Sequence, residues 1–230
     1  MCDTYKLFVT TTELLLPESE FYSRNFQLFS SPLPTKIATI TQISQDLVSA
    51  VEELNKLHII HCDISLSNVT YRQQHHSNHC SEPFTTVLID FNHSAIMAHS
   101  FKFYPKSKIG YYKKSLQWTK EQDYYSVGVL LAQLTCFIMK EFKSKEDMNM
   151  EFENMMRDQL DPQLPNRILL EMDALVSHSQ ELESIHQLVK QLLNGNIIDQ
   201  INDKHSPCTL QDDKTLTEED SGSEAQLNQL

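Results

Sequence analysis

The sequence predicts a mainly α domain of the α+β class, and three observations predict it. Ile40, Ile43, Leu47, Val51 and Leu54 recur at spacings of three and four, the period of a helix with one apolar face. Tyr124 to Met139 is apolar on nearly every side, as a helix at the centre of a domain is. Between these helices, two short β-prone segments, Val69-Thr70-Tyr71 and Thr86-Val87-Leu88-Ile89, flank a polar stretch as the arms of a small hairpin would.

Taken in order, Lys6-Leu7-Phe8-Val9-Thr10 is β-prone and leads through Glu13-Leu14-Leu15-Leu16-Pro17 into the helical part. The first amphipathic helix covers residues 40 to 57. The hairpin connection, Gln73 to Ser81, holds His75, His76, His79 and Cys80, which are zinc-type ligands. Adjacent His75 and His76 point apart in an extended chain, and structural zinc sites usually join two separated pairs, so a polar loop is expected. After the central helix, Met148, Met150, Phe152, Met155 and Met156 form a Met-rich face. Such a face can serve as an adaptable binding surface, but core packing is the expectation. Pro162, Pro165 and the loop around Ser177 separate it from a last amphipathic helix with Leu182, Ile185, Leu188, Val189, Leu192 and Leu193. Asn194-Gly195 is a plausible C-cap for that helix. From about residue 203, Asp212, Asp213, Glu218, Glu219, Asp220 and Glu224 crowd a segment poor in apolar residues, which predicts disorder. Thr217 and Ser221 precede acidic residues there, a pattern for an acidophilic kinase, although a solubilising tail is the simpler expectation.

Composition excludes several function classes. A length of 230 residues fits one domain with a tail. A net charge of -12 argues against nucleic acid or an anionic membrane surface as partner. The five cysteines, Cys2, Cys62, Cys80, Cys136 and Cys208, are scattered without a disulfide-framework spacing. The N-terminus shows no basic-then-apolar signal. The expectation is a cytoplasmic or nuclear protein, not secreted, so the sequons at Asn68 and Asn92 are coincidental. Tyr124 to Met139, interrupted by Ser126 and Gln133, is shorter than the roughly 20 residues of a membrane span.

The chemistry-bearing run is His61-Cys62-Asp63-Ile64-Ser65-Leu66-Ser67-Asn68, followed by Leu88-Ile89-Asp90-Phe91-Asn92. Together with Asp123-Tyr124-Tyr125-Ser126-Val127-Gly128-Val129, it resembles the catalytic loop, the metal-binding Asp-Phe-Gly turn and the start of the central helix of eukaryotic-type protein kinases. The resemblance covers roughly residues 6 to 195 and implies a kinase-like C-terminal lobe with the N-terminal lobe missing or vestigial. It divides the chain into a residual strand and hinge-like segment (1–20), the lobe (21–200) and an acidic tail (201–230). Phosphoryl transfer needs a carboxylate to orient the attacking hydroxyl and oxygen ligands to hold Mg²⁺ against the phosphates. The resemblance implies Asp63 as the catalytic base and Asn68 and Asp90 as the Mg²⁺ ligands. It implies ATP as cofactor, with Ser65, Asn68 and Asp90 on the nucleotide side. His61 and Asp123 would be structural supports, Asp123 bracing the catalytic loop through backbone hydrogen bonds.

The sequence departs from that family at informative places. Cys62 replaces the Arg that grips a phosphorylated activation segment, so that control is expected to be absent. Ser65 stands where Ser/Thr kinases carry a Lys that neutralises the transferring phosphoryl group. Asn92 replaces the Gly of the metal-binding turn, a mild change because Asn tolerates positive φ. Ile109-Gly110-Tyr111-Tyr112 has a distant likeness to the substrate-positioning loop, but the Ala-Pro-Glu ending is missing. The segment instead carries Lys102, Lys106, Lys108, Lys113, Lys114 and Lys120, either a solvated basic loop or a docking strip for an acidic partner. No glycine precedes Gly110, and Lys6, Lys36 and Lys56 are the only lysines before the catalytic loop, none at the ATP-anchoring position.

Two functions follow as expectations. One is an ATP- and Mg²⁺-dependent Ser/Thr-type protein kinase, impaired or inactive as this chain alone, with a protein substrate. The other is a pseudokinase, a binding module whose docking surface engages the protein partners of a true kinase. A helical protein unrelated to kinases would lack Asp63, Asn68 and Asp90 around one cleft.

Overall fold

A computed structural model describes residues 15–73, 84–96, 109–112 and 119–194. The chain runs β1 (Leu15–Pro17), α1 (Glu18–Arg24), α2 (Leu33–Lys56), β2 (Ile59–Ile60), β3 (Val69–Gln73), β4 (Phe84–Leu88), β5 (Ala95–Ile96), α3 (Lys120–Met139), α4 (Lys145–Asp158), α5 (Leu164–His178) and α6 (Glu183–Asn194). Single 3-10 turns lie at Phe26–Ser30, Leu66–Asn68, Phe91–His93, Ile109–Tyr111 and Gln180–Leu182. The class is α+β: a helical body with small antiparallel sheets.

Prolines open the longest helix. Pro32 is the N-cap of α2 and Pro34 sits in its first turn, where a missing N–H costs nothing. The helix therefore begins at Leu33, ahead of the 40–57 span predicted from apolar spacing. Its first turn also carries Lys36, whose buried ammonium donates to the carbonyls of Met139 (3.5 Å) and Lys140 (3.3 Å) at the end of α3. A cation there meets carbonyls that the helix leaves unpaired. Burial lowers the pKa of Lys36, with Glu141 opposing.

Helix α3 is the axis of the core. From Gln122 to Ile138 every residue except Tyr125 is buried, and α2, α5 and α6 all pack against it. Gly128 permits the approach of α6: a Cβ there would lie 3.0 Å from Leu192 Cβ and 3.1 Å from Leu193 Cγ. At its far end Phe137 meets Tyr22, Phe29, Phe142 and Phe152 in an aromatic cluster with ring centroids 5.1–5.9 Å apart. That cluster fixes α1 and α4 to the core. Met148 and Met155 of α4 are buried, as the core reading of the Met-rich face expects, while Met150 is exposed. Among the described residues no helix is long and apolar enough to cross a membrane.

Strands β1, β3 and β4 form an antiparallel sheet in the order β1-β3-β4, with Leu16 opposite Tyr71 and Val69 opposite Leu88. The hairpin expected from the sequence is thus two strands of a three-stranded sheet, with β3 central, because Leu15–Pro17, read as part of a strand and hinge-like segment, pairs with β3. A buried contact between the hydroxyls of Tyr22 and Tyr71, 3.0 Å, ties α1 to the sheet. The free edge at β4 is blunted by α2: Asp46 Oδ2 accepts from the Thr86 N–H at 2.7 Å. The β-prone 6–10 stretch, the His/Cys cluster at 75–80, Lys102, Lys106, Lys108, Lys113, Lys114, Gly195 and the acidic tail lie outside the described residues.

Candidate functional site

Two strand pairings bring the chemistry-bearing residues together. Strand β2 ends one residue before His61 and pairs with β5, which follows the Asp90 turn; Ile60 faces Ala95. Strand β3 begins one residue after Asn68 and pairs with β4, which ends two residues before Asp90. The Ile89 N–H donates to the Asn68 carbonyl at 2.9 Å, closing the hairpin at that end. Two segments more than twenty residues apart in sequence are therefore stitched side by side.

His61 joins them. Its ring is buried, lies tilted against the Phe91 ring with centroids 4.7 Å apart, and places Nε2 3.1 Å from the Ile89 carbonyl. The Asp63 N–H donates to His61 Nδ1 at 3.3 Å, so Nδ1 is the acceptor and Nε2 carries the proton. Burial holds the pKa of His61 below its usual value, with the Ile89 carbonyl and the charges of Asp63 and Asp90 opposing. The ring is a neutral strut.

Asp123, in the first turn of α3, holds the same loop from below. Its Oδ2 accepts from the His61 N–H at 2.6 Å and its Oδ1 from the Cys62 N–H at 3.0 Å. Burial pushes its pKa up to about 7, and the two N–H donors work against that rise. The grip is needed because Cys62 has φ +63°, a conformation an L side chain adopts only under constraint. The Cys62 thiol is buried, and burial first, then the Asp123 charge, raise its pKa to about 12. It is not a nucleophile.

Asp63 and Asn68 form the centre. The Asn68 amide donates to the Asp63 carbonyl and to Asp63 Oδ2, both at 2.7 Å. The Asn68 Oδ1 is 3.4 Å from Ser67 Oγ, the hydroxyl donating. Asp90 is exposed, has φ +63°, and its Oδ1 accepts from the Asn92 N–H at 3.3 Å. The residue with positive φ in this turn is thus Asp90, not Asn92, where the glycine comparison had placed the conformational demand. The reason is local: Asp90 reverses the chain and caps the turn Phe91–His93 with its own carboxylate.

Ser65 is fully buried, and its hydroxyl lies 3.2 Å from that of Ser67, which contacts Asn68 Oδ1, so Ser65 braces the inside of the loop behind Asn68. Lys36 and Lys56 do not reach the site; Lys56 pairs with Glu53 on the exposed face of α2.

One contact was not foreseen. The Tyr112 hydroxyl lies 3.1 Å from Asp63 Oδ1 and 3.2 Å from the Cys62 carbonyl, with the phenol as donor. Burial, then Asp63, hold its pKa above the usual value, so it stays protonated. The neighbouring Gly110 was the available signal, since a glycine amid bulky residues marks a close backbone approach. Comparison of the chain with protein-family models and with curated proteins finds no match to either.

Proposed function

We propose that this chain carries a protein-kinase-like catalytic lobe. Asp63 orients an acceptor hydroxyl and takes its proton, and Asn68 and Asp90 hold Mg²⁺ against the phosphates of ATP. The observation that supports this best is the hold on Asp63: its side chain and its backbone are both bonded to Asn68, on a loop clamped by Asp123. A general base has to be positioned to hydrogen-bond accuracy before its pKa matters.

The residues fit the metal they imply. With its amide nitrogen turned to Asp63, Asn68 keeps an oxygen that takes only a long, 3.4 Å contact from Ser67 and would be one hard donor, and the exposed Asp90 carboxylate would be a second. Among the described residues no group of three or more His, Cys, Asp or Glu could hold an ion alone. Mg²⁺ needs no such cage, because it uses one or two protein oxygens and completes its shell with water and phosphate. Bound there, Mg²⁺–ATP would supply the phosphoryl group and its charge compensation. Asn68 keeps the Asp63 carboxylate aimed, and His61 couples the Asp63 loop to the Asp90 turn.

A second reading is a pseudokinase-type module that binds a protein partner. It is favoured by the two described lysines that precede the loop: Lys36 is committed to the carbonyls at the end of α3 and Lys56 pairs with Glu53 on the exposed face of α2. Mg²⁺-dependent ATP binding to the full 230-residue chain, measured by calorimetry with Asp90→Asn as control, separates the two. Binding that requires both Mg²⁺ and Asp90 is the expected outcome. A folded chain that binds no ATP at millimolar concentration leaves the binding-module reading.

A further inference from the structure

The segment Gly110–Tyr112 is anchored at each of its three residues. The Gly110 N–H donates to the Gln159 carbonyl at 2.9 Å, and a Cβ at Gly110 would lie 2.7 Å from the Asp161 carbonyl oxygen, closer than a side chain can stand. Tyr111 is fully buried. Its carbonyl accepts from Ser126 Oγ at 2.9 Å and from Gln122 Nε2 at 3.3 Å, and its hydroxyl donates to Gln133 Oε1. With residue 111 fixed against α3, residue 112 falls on the catalytic loop.

There the Tyr112 phenol donates toward Asp63 Oδ1, while Asp63 Oδ2 already accepts from Asn68. A hydroxyl that gives up its proton to Asp63 has to stand within hydrogen-bond reach of that carboxylate. One hydroxyl already does. We propose that Tyr112 occupies the acceptor position of the site, so that the chain closes its own Asp63 and an incoming hydroxyl substrate enters only by displacing this phenol. The inference rests on the reading of Asp63 as the base and adds a regulatory element to it. What opens the site is whatever draws Tyr112 away: a protein partner that takes hold of the Gly110–Tyr112 loop, or a substrate that competes for the Asp63 oxygen.

The test reads the cover over Asp63 and needs no enzymatic activity. The full chain, Tyr112→Phe and Tyr112→Ala are treated with a water-soluble carbodiimide and glycinamide, and adducts at Asp63 and Asp90 are followed by peptide mass spectrometry. Asp90 is exposed and serves as the internal standard. The expected result is slow modification of Asp63 in the parent chain and modification faster by about tenfold or more in both variants, the ratio that loss of one hydrogen bond to a charged group corresponds to. Asp90 and the far-UV circular dichroism stay unchanged. Equal rates at Asp63 in all three proteins, or fast modification in the parent, overturn the proposal. Should Tyr112→Ala lose its fold, Tyr112→Phe, which removes one oxygen and keeps the ring, decides alone. ATP calorimetry reports on the phosphotransfer reading separately, so failure of the cover and failure of that reading are distinguishable.

Discussion

Replacing Asp123 tests whether one buried carboxylate holds the His61–Asn68 loop in its strained shape. Asp123→Ala leaves the N–H groups of His61 and Cys62 buried with no acceptor in a loop whose Cys62 has positive φ. Each orphaned donor costs roughly 1–3 kcal/mol. Removing the carboxylate also relieves its own burial, a relief that is small while the group is protonated, so a net loss of about 2–4 kcal/mol is expected from urea denaturation at about pH 5. The pH dependence gives a sharper signature. Burial raises the Asp123 pKa from 3.8 to about 7, so the folded chain holds this proton more tightly than the unfolded chain does. Ionising it then costs folding free energy: nothing below about pH 4, a growing amount as pH rises, and the full amount above about 7. Asp123→Asn has no such proton, and the difference in stability between parent and Asp123→Asn should shift against the parent as pH rises through that window. A difference that stays flat from pH 4 to 8, or an Asp123→Ala loss below about 0.5 kcal/mol, would refute the account, since surface substitutions produce no more.

Two further outcomes are expected. Gly128→Ala should cost about 1–3 kcal/mol in urea denaturation, because its Cβ would stand 3.0 Å from Leu192 Cβ and push α6 off α3; a variant as stable as the parent would show that α6 is not tightly seated. Native Cys62 should resist maleimide at pH 8 and react only after unfolding, since it is buried and burial pushes its pKa up to about 12; rapid native labelling would mean that the His61–Asn68 loop opens readily.

Much of the fold was legible in the chain because it rests on local periodicity. The apolar spacing from Ile40 to Leu54, the apolar run to Met139 and the β-prone arms at Val69 and Thr86 each specify an element without reference to the rest. The site residues Asp63, Asn68, Asp90 and Asp123 stand out because their chemistry is carried by residue type and order. The tertiary structure alone decided how those residues act on one another. Ser65 turns inward, Asp90 rather than Asn92 carries the left-handed backbone, and Lys36 closes the end of α3. Tyr112 reaches Asp63 because Gly110 and Tyr111 are locked between α3 and the turn after α4. Periodicity records which face of an element is apolar. It does not record which distant backbone group a polar atom will meet, because that partner exists only once helices and strands separated by tens of residues have packed.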